Sequence, residues 1–334
     1  MFEPGYLALY HSGELMSRAE RLEARLESCD ICARGCGVNR LQNEHGFCRS
    51  GYLPVVSSVC AHHGEEPVIS GSRGSGTIFF GNCNLRCVYC QNYQISQPEE
   101  EQKSKEISFH TLACYMLHLQ DELGCHNINL VSPSHFVPQI IRALTEAVPM
   151  GLRLPLVYNT GGYDDVSVLK ELDGVVDIYL PDLKYASNIW AQKYSLASGY
   201  VGHARRAIKE MYRQVGTLEL DEAGLAKRGL IVRHLILPNN LAGSRRSLAW
   251  LASKLSPDVA VSIMSQYSPQ NRARDFPELR REISPGEYQA VLALLDELGL
   301  ESGWVQGLGA DSNYLPDFER EGHPFEANVP AAGT

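Results

Sequence analysis

The residues best equipped for chemistry are three cysteines, in Cys83-Asn84-Leu85-Arg86-Cys87-Val88-Tyr89-Cys90. Their spacing is C-x3-C-x2-C. Thiolates are soft ligands that suit iron–sulfur clusters and zinc. Three protein ligands leave one coordination position open, as a reactive centre needs, whereas a structural site is usually closed by four. Unligated buried cysteines or a zinc loop are the plain alternatives. The triplet follows Thr77-Ile78-Phe79-Phe80, whose β-branched and aromatic run predicts a buried strand, and the turn signal Gly81-Asn82. The three thiols therefore belong on a loop at a strand's end.

A second set lies upstream: Cys29-x2-Cys32-x3-Cys36, then Cys48 after a loop containing Gly46. Four cysteines so close predict one closed metal site, and zinc or an iron–sulfur cluster would both fit. The segment has little apolar content and needs a staple of this kind. Unligated thiols are the alternative. A thioredoxin-type pair lacks its strand–helix context here. A DNA-binding ribbon would need more than Arg34, Arg40 and Arg49. Further on, Cys60-Ala61-His62-His63-Gly64-Glu65-Glu66-Pro67 reads as a solvated loop, with a metal site or an active-site wall as the alternative. The run Gly71-Ser72-Arg73-Gly74-Ser75-Gly76 precedes the strand and lacks Lys-Ser/Thr, so it is a turn or linker and not a phosphate loop. Cys114 and Cys125 read as structural.

These groups must be held by a scaffold. Leu15, Ala19, Leu22 and Leu26 recur at helical spacing and predict an amphipathic helix over 12–27. After Cys90 and a charged loop over 99–106, strands and helices alternate. Strands are predicted over 127–131, 154–158, 175–180, 230–237 and 259–264. Helices are predicted over 109–123, Val137–Ala147, 166–172, 189–195, 203–215, 245–255 and Pro285–Leu298. Such alternation means a parallel sheet with right-handed crossovers. With the strand at Thr77 there are six units, short of the eight that close a barrel. A boundary near residue 75 gives three parts: 1–75 with the helix and four cysteines, 76–310 as the α/β body, and a Pro-, Gly- and charge-rich tail over 311–334.

In parallel α/β folds, ligands bind beyond the carboxyl ends of the strands. Besides the cysteine triplet, those positions hold Ser132-Pro133-Ser134-His135, Asn159-Thr160-Gly161-Gly162-Tyr163, Asp182-Leu183-Lys184, Pro238-Asn239-Asn240 and Ser265-Gln266-Tyr267, with His234 inside the fifth strand. Asp182 and Lys184 are candidates for cofactor or substrate contact, against an ordinary loop salt bridge. His234 is a further candidate, against a satisfied core histidine.

The triplet, its aromatic Tyr89 and the preceding strand resemble the radical S-adenosylmethionine (SAM) enzymes. Asn159 to Tyr163, Asp182-Leu183-Lys184 and Val232-Arg233-His234 are similar to segments of the glycyl-radical-enzyme activases, especially pyruvate formate-lyase activating enzyme, over residues 75–270. Gly64-Glu65-Glu66-Pro67 and Gly76 to Phe80 look like a related branch with a four-cysteine head. The resemblance implies a partial (β/α)6 barrel. It implies a [4Fe-4S] cluster on Cys83, Cys87 and Cys90, with SAM beside it near Tyr89, Ser132, Ser134, Asn159, Asp182, Lys184 and His234. It implies reductive cleavage of SAM to a 5′-deoxyadenosyl radical that takes hydrogen from a substrate, and a one-electron reductant such as flavodoxin or ferredoxin. That substrate would be a backbone glycine of a partner enzyme, another protein side chain or a small molecule. Two departures stand out. The activases place a G-G-E segment, which binds the SAM amino group, where this chain has Ser132-Pro133-Ser134-His135; Ser hydroxyls and carbonyls would have to accept instead. Their eight-cysteine insertion is replaced by the four-cysteine set. A non-enzymatic zinc-binding module is the rival from another class.

The chain has 334 residues, ample for such a core. Its net charge of −9 argues against binding nucleic-acid backbones. No apolar run approaches the ~20 residues that span a bilayer. The start, Met1-Phe2-Glu3-Pro4-Gly5, lacks a secretory signal, so a cytoplasmic location is expected. Ten cysteines in a reducing compartment then point to metal or redox chemistry.

Overall fold

Strand and helix alternate as the apolar periodicity requires. The computed structural model describes residues 2–98, 105–309, 315–320 and 322–325. Helices α1 (Gly5–His11) and α2 (Glu14–Ala24) open the chain, and Leu15, Ala19, Leu22 and Leu26 are all buried as their spacing demands. Gly13, at φ 80°, breaks what the sequence reads as one helix from residue 12. After the cysteine segment come β1 (Val56–His62), α3 (Pro67–Ser70), β2 (Ser75–Phe80), α4 (Tyr93–Ser96) and α5 (Phe109–Leu117). The body continues with β3 (Ile128–Val131), α6 (Val137–Ala147), β4 (Leu156–Thr160), α7 (Val166–Glu171), β5 (Ile178–Pro181), α8 (Asn188–Ser195) and α9 (Tyr200–Val215). It ends with β6 (Glu219–Leu220), β7 (Ala226–Leu235), α10 (Ser244–Lys254), β8 (Ala260–Met264), α11 (Pro285–Leu298) and β9 (Gly303–Val305).

The sheet order is β1-β2-β3-β4-β5-β7-β8-β9, with β6 pairing on β7. The six expected strands are neighbours in sequence order and parallel throughout. Two strands extend them: β1, antiparallel to β2, and β9, parallel to β8. No pairing joins β1 to β9, yet His62 of β1 and Trp304 of β9 line the same cavity. The sheet therefore curls into an open, partial barrel. Helices cover its outside, with α2 packed on α6 beside α5.

The chain before residue 75 is not set apart from this body. β1 hydrogen-bonds along β2, and Val68 and Ile69 of α3 pack on Val157, Ile178, Leu180 and Ile231 inside the barrel. The turn between β1 and α3 thus carries Glu65 and Glu66 into the interior as a floor. The charged run at 99–104 and most of the tail over 311–334 lie outside the described residues. Of the tail, Phe318 and Phe325 pack against Cys60, Phe79, Ile95 and Val131, and Phe325 stacks on His62 with centroids 4.0 Å apart.

Candidate active site

The cysteine loop leaves β2 through Gly81 and Asn82, where Asn82 takes φ 65°, a value Asn tolerates in tight turns. Its backbone is then tied down on several sides. The free carbonyls at the end of α8 accept from it: Val88 N donates to Tyr194 O at 2.8 Å and Arg86 N to Ser195 O at 3.1 Å. The Arg86 guanidinium bonds Cys83 O and Phe47 O, both at 2.8 Å. Asn84 Nδ2 donates to Tyr163 O at 2.8 Å, and Gln97 Nε2 to Cys87 O at 2.9 Å.

Held this way, Cys83, Cys87 and Cys90 all line one cavity of about 510 Å³. That is ample for a cofactor-sized ligand. Each sulfur has a polar neighbour: Leu85 N donates to Cys83 Sγ at 3.4 Å, Ser195 Oγ to Cys87 Sγ at 3.0 Å, and Ser96 Oγ lies 3.2 Å from Cys90 Sγ. Burial, and then the charge of Cys87, pushes Cys90 up to about 12. Burial likewise raises Cys83, with Cys87 adding to it. The Cys83 and Cys90 thiols, raised in this way, keep their protons unless positive charge sits beside them. That donor set fits an iron–sulfur cluster bound through three of its irons.

The strand ends supply the polar wall. Arg233 projects inward from β7 and divides its donors among three partners: Asp182 Oδ1 at 2.9 Å, Asn159 Oδ1 at 2.7 Å and Glu65 Oε2 at 3.3 Å. Lys184 Nζ donates to Asp182 Oδ2 at 2.5 Å. Glu65 also accepts from Asn129 and Asn159. Burial alone would raise Asp182, but the Arg233 and Lys184 charges hold it below the usual carboxylate range. Gly161 faces the cysteine loop, where a Cβ would come within 2.8 Å of Leu85 Cδ1. Gly162, at φ 76°, packs on the Asp182 carbonyl so closely that a Cβ would sit 2.5 Å from its oxygen. These glycines let the ends of β4 and β5 approach the loop.

Most residues singled out from the sequence meet here. Tyr89, Ser132, Asn159, Asp182 and Lys184 line the cavity with the three cysteines. Two do not. His234 is fully buried, and its ring nitrogens are taken by Leu183 O at 2.7 Å and Ser244 Oγ at 3.0 Å. Side chains alternate along a strand, so the neighbour that points inward is Arg233. Ser134 turns to Thr160 Oγ1 at 2.9 Å, inside a buried network with Asp164 and Tyr158, and is not part of the cavity wall. Sequence reasoning does not single out Arg233 or Trp304 as site residues, and it sets Glu65 and Glu66 in a solvated loop with an active-site wall or metal site as the alternative. The available signal was Gly64-Glu65-Glu66-Pro67, with two acids just ahead of a helix-starting proline.

The upstream cysteines also converge. Cys29, Cys32, Cys36 and Cys48 line one small cavity together with His135. It lies against the back of the cysteine loop: Arg34 stacks on Phe47 at 3.5 Å and donates to Asn84 O at 2.8 Å, and Arg40 donates to His135 O at 2.6 Å. Gly46 is seated on Cys36, where a Cβ would meet Sγ at 2.5 Å. Among the described residues, no three His, Cys, Asp or Glu side chains are gathered tightly enough to hold a single metal ion.

The chain is 30% identical over 282 residues to the uncharacterized protein MJ0674 of Methanocaldococcus jannaschii, a match covering 82% of this chain and 76% of that protein. The chain belongs to the MJ0674 family. A second uncharacterized protein of the same organism, MJ0808, is 24% identical over 332 residues, covering 89% of this chain and 87% of the other. No family model matches the sequence. Among solved structures, HydG, a maturase of the [FeFe]-hydrogenase, superposes with a TM-score of 0.46 at 12% identity, covering 67% of this chain and 49% of HydG. Methylornithine synthase (PylB) superposes with a TM-score of 0.43 at 15% identity, covering 96% of this chain and 88% of PylB. No helix of the described residues is long and apolar enough to cross a membrane.

Proposed function

We propose that this protein is a radical SAM enzyme. The observation that carries the reading is the meeting of Cys83, Cys87 and Cys90 on the wall of one cavity with Asn159 of β4 and with Asp182 and Lys184 of the loop after β5. In this reading the three thiolates hold a [4Fe-4S] cluster and the cavity takes SAM. When bound, that pair supplies one-electron cleavage of the sulfonium and a 5′-deoxyadenosyl radical that removes hydrogen from a substrate.

The chain's own residues bind, orient and exclude water. Ser195, Ser96 and the Leu85 amide give hydrogen bonds to the sulfurs and so tune the cluster. Tyr89 presents its ring to the cavity, fixed by its hydroxyl on Tyr185 OH at 2.7 Å. Ser132, Asn159, Asp182 and Lys184 offer donors and acceptors to the polar groups of SAM. A one-electron carrier of the flavodoxin or ferredoxin type supplies the reductant in a reducing, cytoplasmic setting. Cys29, Cys32, Cys36 and Cys48 hold a second metal centre, which staples their segment to the back of the cysteine loop.

In the pyruvate formate-lyase-activating-enzyme-like reading the substrate is a backbone glycine of a partner enzyme; the alternatives are another protein side chain or a small molecule. The Phe325 ring in the cavity wall favours the small molecule, since a partner's loop would have to displace it.

The test is anaerobic reconstitution with iron and sulfide, followed by measurement of 5′-deoxyadenosine. The wild type should form it, and the Cys83→Ala, Cys87→Ala, Cys90→Ala triple variant should not. SAM cleavage by the triple variant would refute the assignment. Metal analysis of the same variant examines the upstream cysteines: retained iron or zinc supports a second centre, and no metal removes it.

A further inference from the structure

The cavity has two ends. The cysteines stand beyond the strand ends. The opposite end is floored by the β1–α3 turn. Between this floor and the strand ends three carboxyl groups (Glu65, Glu66 and Asp182) meet two cations, Arg233 and Lys184. Arg233 and Lys184 satisfy Asp182, while Arg233, Asn129 and Asn159 satisfy Glu65. One carboxyl group is left over.

It belongs to Glu66. This side chain lines the cavity, is 8% exposed, and has an Oε2 with no hydrogen-bond partner among the described residues. The Ser262 hydroxyl acts on the carboxyl group in favour of its ionised form. A buried acceptor without a partner is uncommon in folded proteins and points to a missing ligand. Trp304 pairs with Ser262 in the β8–β9 register, lines the same cavity and packs on the cluster that holds Val68 and Ile69 of α3. A carboxyl group and a tryptophan lining one cavity can together recognise cationic nitrogen, through a charge-assisted hydrogen bond and the indole's negative face.

We infer that the floor of the cavity is a substrate subsite for a primary amine, with Glu66 Oε2 accepting from the ammonium and Trp304 flanking it. The inference rests on the radical SAM reading for naming the ligand a substrate rather than a cofactor. Glu65 and Asp182 each have cation or amide partners, which leaves Glu66 as the free acceptor. An amine held there would lie at the opposite end of the cavity from the cysteine thiols.

The experiment uses the full-length, reconstituted protein with two probes of equal length and opposite charge, butylamine and butyrate. Binding is read at pH 8 by ligand-observed NMR. Butylamine should bind the wild type and butyrate should not. Glu66→Gln should weaken butylamine by roughly tenfold or more, the order expected for one charge-assisted contact. Equal binding of both probes, or an unchanged butylamine affinity in Glu66→Gln, would overturn the inference. So would an equal loss of SAM affinity in that variant, which would assign the carboxylate to the cofactor. If Glu66→Gln fails to fold, Trp304→Leu takes its place: weakened butylamine binding supports the subsite and unchanged binding overturns it. The radical SAM reading is scored separately, by cluster absorbance and 5′-deoxyadenosine formation in wild-type samples.

Discussion

Ser195 Oγ donates to Cys87 Sγ across 3.0 Å, joining residues 108 positions apart. The bond ends a run of hydroxyls, from Tyr89 OH to Tyr185 OH at 2.7 Å and from there to Ser195 Oγ at 2.8 Å. One ring of the cavity wall is thus linked to a candidate cluster ligand. A donor to a ligand sulfur favours the more electron-rich, reduced state. Ser195→Ala should therefore make the cluster's reduction potential more negative. A difference of about 1 kcal/mol between the two redox states, the order of one hydrogen bond, is roughly 40 mV for one electron. Spectroelectrochemical titration of both proteins measures it. An unchanged potential would separate Ser195 from the cluster.

Arg233 holds two carboxylates that are themselves buried. Its side chain is 16% exposed, and those of Glu65 and Asp182 are 9% and 13% exposed. Removing one member of such a group leaves charge without compensation, at a cost of about 3–5 kcal/mol. Arg233→Ala should lower the midpoint of chemical denaturation accordingly. Arg233→Lys should recover only part, because one ammonium cannot serve Asp182, Glu65 and Asn159 in the geometry of a guanidinium. A midpoint close to wild type in Arg233→Ala would show that water takes over the pairing.

The cysteine triplet was legible because three local signals agreed: thiol spacing, the preceding strand and the turn between them. Helix α11 was legible at both ends, since Ser284 and Glu287 form a capping box and Gly299 ends the helix at φ 66°. Arg233 and His234 show where such reading stops. The strand was visible, but not which of two adjacent residues faces inward, since both of its faces are largely buried. Glu65 was hidden for a different reason. Its partner Arg233 lies 168 residues away, and no local pattern reports a pair so distant. β9 escaped because three residues are too few to show a period.

The floor of the cavity should make stability depend on pH. Burial raises Glu66 to about 7; among the charges facing it, Arg233 of β7 opposes that rise and Glu65 of its own turn adds to it, while the Ser262 hydroxyl of β8 favours the ionised form. The fold therefore prefers the neutral acid. Its stabilising contribution is whole below the usual glutamate range and is lost as pH rises towards about 7. Glu66→Gln is neutral at every pH and loses nothing over that interval. The stability of Glu66→Gln relative to wild type should thus be greater at pH 8 than at pH 5, as read from urea midpoints. An equal difference at both values would mean that Glu66 titrates as it would in water.

The tail residues bear on access to the site. Gln94 of α4, just after the cysteine loop, bonds Asp317 Oδ1 at 3.2 Å and accepts from Phe318 N at 2.9 Å. His323 Nε2 lies 3.0 Å from Ala61 O of β1, and Phe325 stacks on His62 beside Phe79. The described tail residues thus sit both beside the cysteine loop and on β1, which among the described residues does not pair with β9. Burial also lowers His62 to about 3, so the ring stays neutral against Phe325 at ordinary pH. Ending the chain before residue 315 should open the cavity to solvent on that side. With Trp190 and Trp250 replaced by Phe, the remaining Trp304 reports on the cavity wall, and acrylamide should quench it more strongly in the truncated protein. Butylamine should also bind and leave faster, with its preference over butyrate retained, because Glu66 and Trp304 remain in place. Equal quenching in both lengths would show that the tail packs on the barrel without covering its opening.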